Sequence, residues 1–143
     1  MKKIIFILGS LGKGGAERVI SILANNYINK GWTVKICLLL SNTVAYAINK
    51  NIEIIDCSFG GGARLKRVPL WIRSIKKIVK REKPDVVLSF AARINILTLL
   101  ACKRLRVDIV ASERNDPYMD GRGFVVNLLT NWLYPKAKMV VFQ

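Results

Sequence analysis

An alternation constrains the fold of this chain more than any other feature. Short apolar runs rich in β-formers recur along it, and most are followed by a segment with helical spacing. The runs are Lys3–Leu8, Trp32–Leu40, Ile52–Cys57, Asp85–Phe90, Asp108–Ser112 and Lys138–Phe142. Ala16–Lys30 places Val19, Ile20, Ile22, Leu23, Tyr27 and Ile28 on a helical period and closes at Gly31, a residue suited to a C-cap. A short helix is expected around Val44–Asn49. A longer one is expected with Pro69 near its first turn, running to about Lys83 where Pro84 stops it. Asn95–Leu105 and Gly123–Tyr134 supply two more helical patterns. Strands separated by helices imply right-handed crossovers. The expected fold class is therefore α/β, a doubly wound and mostly parallel sheet covered on both faces.

In such a sheet ligands bind outside the C-terminal ends of the strands. The first of these ends breaks into Gly9-Ser10-Leu11-Gly12-Lys13-Gly14-Gly15 and continues as Ala16-Glu17-Arg18-Val19. Clustered glycines let the backbone approach a ligand closely, and the helix that follows offers unpaired N–H groups and a positive dipole end. A phosphate or a sugar hydroxyl is the expected guest. Two sharper templates fail. A nucleoside-triphosphate loop needs Gly-Lys followed by Ser or Thr, and here Gly14 follows Lys13, removing the magnesium ligand. A dinucleotide fingerprint needs a third glycine where Glu17 and Arg18 stand. It also needs a carboxylate after the second strand, which instead ends Leu38-Leu39-Leu40-Ser41. Glu17 also suits a first helical turn through the dipole alone.

Composition bounds the remaining possibilities. The 143 residues, 52% of them hydrophobic, fit one domain with a real core and are too few for two α/β domains. With 24 Lys and Arg against 9 Asp and Glu, the formal charge is +15, which favours anionic partners. The chain contains no histidine, so any mechanism using one as base, nucleophile or metal ligand is excluded within it. Cys37, Cys57 and Cys102 form no paired motif and read as buried free thiols in a reducing compartment. The N-terminal Lys2-Lys3 and apolar stretch resemble a signal peptide. The charged segment after it and the lack of a small-residue cleavage pattern favour a strand instead. No apolar run approaches the roughly 20 residues of a membrane span, and a cytoplasmic location is expected.

Four segments, in order, carry a family resemblance. They are Gly14-Gly15-Ala16-Glu17-Arg18-Val19, Pro84-Asp85-Val86-Val87-Leu88-Ser89-Phe90, Ser112-Glu113-Arg114-Asn115-Asp116-Pro117, and Leu133-Tyr134-Pro135-Lys136-Ala137-Lys138-Met139-Val140-Val141. Together they resemble the N-terminal, Rossmann-like domain of GT-B glycosyltransferases of family 4. The resemblance implies a hexosyl transferase that retains the donor's anomeric configuration and needs neither cofactor nor metal. Its substrates would be a nucleotide-sugar donor and a glycan or lipid-linked acceptor of cell-envelope polysaccharide or lipopolysaccharide type. It also implies that residues 1–143 are the acceptor-side half, that a donor-binding C-terminal domain lies outside this chain, and that this half alone is inactive. A chain stopping at Gln143, at the end of the sixth strand, fits a piece of a longer protein. The glycine loop would bring Gly14 and Gly15, with Glu17 and Arg18, near donor phosphate and acceptor.

Residues just after strand ends complete the candidate site. Glu113 and Arg114 follow the fifth strand and can hydrogen-bond sugar hydroxyls or phosphate, the arginine in bidentate fashion. Arg93 and Asn95 follow the fourth. The plain alternatives are a loop ion pair for the first two and a helix N-cap for Asn95. No catalytic residue is assigned.

From Arg64 to Lys83 nine basic residues stand against Glu82 alone, with Leu65, Val68, Trp71, Ile72, Ile75, Ile78 and Val79 on a helical stripe between them. A cationic amphipathic helix of this kind suits an anionic membrane surface, with Arg73, Lys76, Lys77 and Lys80 facing it. The alternative is a sheet-packing helix with a solvated basic face. Electrostatic docking at the inner face of the cell membrane is the expected form of contact. Nucleic-acid binding would use the same charge. It is not expected, because only Trp71 is interleaved with the basic run and no nucleic-acid-binding motif is present. A non-catalytic binding module is the remaining alternative.

Overall fold

A computed structural model describes residues 2–59, 63–113 and 123–142. Strands β1 (Lys3–Leu8), β2 (Thr33–Leu38), β3 (Glu53–Asp56), β4 (Val86–Phe90), β5 (Asp108–Glu113) and β6 (Met139–Phe142) form one sheet. Its order is β3-β2-β1-β4-β5-β6, and every neighbouring pair is parallel. This is the doubly wound α/β sheet that the alternation implies.

β1 shows why its sequence is an unbroken apolar run. It lies between β2 and β4, and Ile4 to Leu8 are all buried. Ile5 and Ile7 face a core shared with Ile75 of α2 (Arg64–Glu82), Leu97 of α3 (Ala92–Ala101) and Leu133 of α4 (Phe124–Leu133). Ile4, Phe6 and Leu8 face the other core, with Ile20 and Ala24 of α1 (Gly15–Asn29). A strand covered on both faces has no polar side to show. Each of these fully buried side chains contributes roughly 1.5–3 kcal/mol of transfer free energy, which makes β1 the mechanical centre of the domain.

Several element boundaries differ from the sequence pattern. Residues 44–49 form no helix. Their backbone groups are engaged elsewhere: Val44 bridges Leu11, the Ala45 N–H donates to the Leu11 carbonyl at 2.7 Å, and the Asn25 amide donates to the Ala47 carbonyl at 2.9 Å. The segment is thus tied across the glycine loop and α1. α2 begins at Arg64, so Pro69 lies inside the helix, where its ring nitrogen cannot donate to the Leu65 carbonyl. Leu65 is 86% exposed, so water can reach that turn, and the residue does not join the buried stripe. Trp71, Ile75, Ile78 and Val79 do form the buried stripe, against the sheet. α3 runs from Ala92 to Ala101 and not from Asn95 to Leu105.

An ion cluster marks one end of the sheet. Near the N-terminal ends of the strands, Lys3 Nζ and Lys35 Nζ reach Glu82 Oε2 at 3.3 and 3.1 Å, and Lys35 also pairs with Glu53. This cluster ties the C-terminus of α2 to three strands. The Lys35 ammonium, helped by Arg81 and Lys3, holds the Glu82 carboxyl down at about 2, well below its ordinary 4.5. Cys37, Cys57 and Cys102 are buried free thiols, as expected. Burial pushes Cys102 up to about 12, and the Cys57 sulfur at 3.3 Å, together with burial, raises Cys37.

Candidate functional site

The chain turns from β1 towards β2 and β3 on one side, and from β4 towards β5 and β6 on the other. α1 packs in one core and α2–α4 in the other, so the sheet switches faces between β1 and β4. Strand-end loops diverge at such a point and leave a crevice. Here it is a cavity of about 380 Å³, within the size range of small-molecule sites. It is lined by Gly9 and Ser10 after β1, Gly15 and Glu17 at the start of α1, Ala91 after β4 and Glu113 at the end of β5, with Leu8, Leu40, Phe90 and Ile94 as its apolar walls.

The glycines serve close approach. A Cβ on Gly9 would lie 2.9 Å from Leu40 Cδ1, so a side chain there would displace the Leu40 side chain from the cavity wall. At Gly14 a Cβ would fall 2.0 Å from Glu17 Oε2. The Glu17 carboxyl therefore folds back over the loop, in the place where an anion would sit at the α1 N-terminus. The loop is held from behind. The Leu11 N–H donates to the Thr43 carbonyl at 3.0 Å and the Tyr46 hydroxyl donates to the Gly14 carbonyl at 2.9 Å.

Glu113 is only 2% exposed and forms part of the cavity wall. A chain of hydrogen bonds orients it. The Tyr134 hydroxyl donates to Glu113 Oε2, and the Asn95 amide donates to that hydroxyl at 3.2 Å. The same amide donates to the Ser112 carbonyl at 3.0 Å, and Asn95 Oδ1 accepts from Ser89 Oγ at 2.7 Å. Four elements, β4, α3, β5 and the 3-10 turn Tyr134–Lys136, thus meet on one buried amide.

Ala91 adds strain to the same wall. Its φ is 77° and ψ 143°, a conformation that L residues avoid at a cost of about 1–3 kcal/mol. It is overdetermined: its N–H donates to the Ser112 carbonyl at 3.1 Å and its carbonyl accepts from the Asn95 N–H at 2.8 Å. The strained turn swings the chain from β4 into α3 at the cavity edge. Nothing in the identity of an alanine announces this.

The expected site residues divide accordingly. Gly15, Glu17 and Glu113 line the cavity together, and Gly14 supports the Glu17 turn. Arg18 is exposed on α1 and does not line it. Asn95 lies within α3, neither at its N-cap nor on the cavity surface, with its side chain engaged by protein partners. Arg93 faces a neighbouring groove. Arg114 lies outside the described residues. Arg73, Lys76, Lys77 and Lys80 are all exposed on one face of α2. Among the described residues no Lys or Arg lines the glycine-loop cavity, and its polar side chains are Ser10, Glu17 and Glu113. Such a wall suits hydroxyl donors.

The fold is a doubly wound α/β domain of the GT-B half type. Residues 13–142 match the sequence profile of Glycosyltransferase Family 4, and the chain belongs to that family. It is 27% identical over 124 residues to a Campylobacter jejuni GalNAc-alpha-(1->4)-GalNAc-alpha-(1->3)-diNAcBac-PP-undecaprenol alpha-1,4-N-acetyl-D-galactosaminyltransferase, covering 83% of this chain and 34% of that relative. This chain thus spans about a third of that relative's length. Among solved structures, the lipopolysaccharide outer core galactosyltransferase WaaB superposes with a TM-score of 0.64 at 20% identity, over 76% of this chain and 32% of that one. Acinetobacter baumannii MurG superposes with a TM-score of 0.68 at 18% identity, over 99% of this chain and 41% of that one. At those identities the likeness concerns fold.

Proposed function

We propose that this chain is the acceptor-side half of a glycosyltransferase that moves a hexose from a nucleotide-sugar to a hydroxyl of a lipid-linked or cell-envelope glycan. The observation that carries the reading is the cavity at the switch point, which Glu17 and Glu113 help to line; in this reading their carboxyls accept hydrogen bonds from acceptor hydroxyls. In the transfer, the bond between the anomeric carbon and the donor diphosphate breaks, a bond to the acceptor oxygen forms, and the acceptor's proton leaves. Glu113, held by Tyr134, orients the acceptor. The backbone of Gly14 and Gly15 approaches the donor diphosphate, and Glu17 swings off the α1 N-terminus when phosphate arrives. The donor's nucleotide is held by a second domain beyond these residues. Transfer proceeds with retention of configuration and without a metal, as the family membership suggests. The Campylobacter relative, whose name describes an undecaprenol-linked acceptor, supports a lipid-linked one here.

The test is transfer itself. The chain joined to its donor-binding domain is incubated with labelled UDP- and GDP-sugars and a polyprenyl-diphosphate-linked glycan, and label is followed into the lipid phase. One donor is expected to give lipid-soluble product. Tight donor or acceptor binding with no transfer across the panel would leave a binding module instead. We also propose that the exposed cations of α2 dock the protein on anionic lipid at the cytoplasmic membrane face. Lys76→Glu/Lys77→Glu/Lys80→Glu is then expected to abolish flotation with anionic liposomes, and equal flotation would count against it.

A further inference from the structure

A second cavity opens beside the first. It occupies about 430 Å³ between α2 and α4, over the outer side of α3. Its walls are Leu65 and Val68 of α2, Leu97 and Leu100 of α3, and Val126 and Leu129 of α4. The groove follows from the sequence of α3. That helix, Ala-Arg-Ile-Asn-Ile-Leu-Thr-Leu-Leu-Ala, carries apolar residues all round and has no continuous polar face to turn outward. It sits recessed between two flanking helices, and its outer side becomes an apolar floor. Leu65 stands at the rim, 86% exposed.

Two observations say what the groove holds. Leu40 and Ile94 line both this groove and the glycine-loop cavity, so an apolar slot and a carboxyl-lined pocket adjoin across the same two side chains. Among the described residues Arg93 is the one charged residue in the groove lining, and it sits in the first turn of α3 next to Ile94, at that junction. A guanidinium there offers bidentate hydrogen bonds to a phosphate. The sequence of environments is thus hydroxyl-binding pocket, cation, apolar slot.

We propose that the groove takes the aliphatic or isoprenoid chain of a lipid phosphate, with Arg93 on the phosphate and the attached sugar in the glycine-loop cavity. The identity of the sugar end rests on the transferase reading above. The chain site rests on the groove.

The test uses decyl phosphate below its micellar concentration, with inorganic phosphate and decanol as separate arms, titrated calorimetrically into the purified protein. Decyl phosphate is expected to bind at least ~100-fold more tightly than inorganic phosphate, because burying a run of methylenes adds affinity that the headgroup alone lacks. Leu65→Glu places a charge at the rim, and Val126→Trp fills the slot. Each is expected to weaken decyl phosphate roughly tenfold or more. Leu65 is already exposed, so the first variant should melt as the parent does. Arg93→Gln is expected to weaken decyl phosphate and leave decanol unchanged. Decyl phosphate binding no tighter than inorganic phosphate overturns the proposal, as does tight binding that neither Leu65→Glu nor Val126→Trp alters. Sugar transfer is scored separately. Its failure with decyl phosphate binding intact removes the transferase reading alone, and the reverse result removes the groove alone.

Discussion

The two ends of the sheet use their polar residues in opposite ways. Near the N-terminal ends of the strands, Lys3, Lys35, Glu53 and Glu82 neutralise one another, and the Lys3 N–H donates to Asp85 Oδ2 at 2.8 Å. At the C-terminal ends, two carboxyls face an open cavity without a lining cation among the described residues, and Ala91 holds a strained turn. One end is arranged for stability. At the other, buried Glu113 accepts from the Tyr134 hydroxyl in the cavity wall and Ala91 holds a positive-φ turn.

The sharpest way to break that contrast is at Asn95, the buried amide that holds the functional end together. Asn95→Leu deprives Ser89, the Ser112 carbonyl and Tyr134 of a partner at once. It is expected to lower unfolding free energy by about 3 kcal/mol in urea denaturation. A loss below about 1 kcal/mol would mean that these bonds do not organise the cleft. Glu113→Gln comes next. It keeps the shape of the side chain and removes its charge, so fold and stability are expected to change little while transfer falls roughly 100-fold.

At the other end, Glu82→Gln is expected to leave transfer intact and to lower stability by about 1–2 kcal/mol at neutral pH, the range of a partly exposed ion cluster. Its pH dependence follows from the depressed carboxyl. Folding holds Glu82 at about 2 against an ordinary 4.5, so its contribution is complete above 4.5 and disappears as pH falls through 2. The stability gap between parent and variant should therefore close over that window. A gap independent of pH would place the effect outside the ion cluster. The smallest change is Ala91→Gly. Relief of a positive-φ alanine, less the added freedom of glycine when unfolded, is expected to stabilise the protein by up to about 1 kcal/mol. Destabilisation would mean that the turn is not strained.

How far the sequence reveals this follows from the range of the interactions. β1, β4 and β5 are legible because strands buried on both faces leave continuous β-branched runs, and the glycine loop is legible because close approach demands glycine. Residues 44–49 mislead because Val44, Ala45, Ala47 and Ile48 have helical spacing, while their backbone partners, Leu11 and Asn25, lie far back in the chain. The start of α3 is hidden because a helix with apolar residues on every side has no period to mark its edge, and Ala91 carries no chemical sign of its conformation. Asn95 reads as a possible cap or ligand contact, since the residues that engage its side chain are 6, 17 and 39 positions away. Spacing alone groups Leu65 with the apolar stripe, while its 86% exposure in the first turn of α2, ahead of Pro69, puts it outside the packed part of the helix.

The contrast between the two ends comes down to one comparison of rates. Sugar transfer from the labelled nucleotide-sugar to the lipid-linked acceptor should be measured for the parent, Glu113→Gln and Glu82→Gln side by side, each joined to the donor-binding domain and with folding confirmed for each. If the C-terminal edge of the sheet is the acceptor site, Glu113→Gln loses transfer and Glu82→Gln keeps it. Transfer by Glu113→Gln at the parental rate would contradict that assignment.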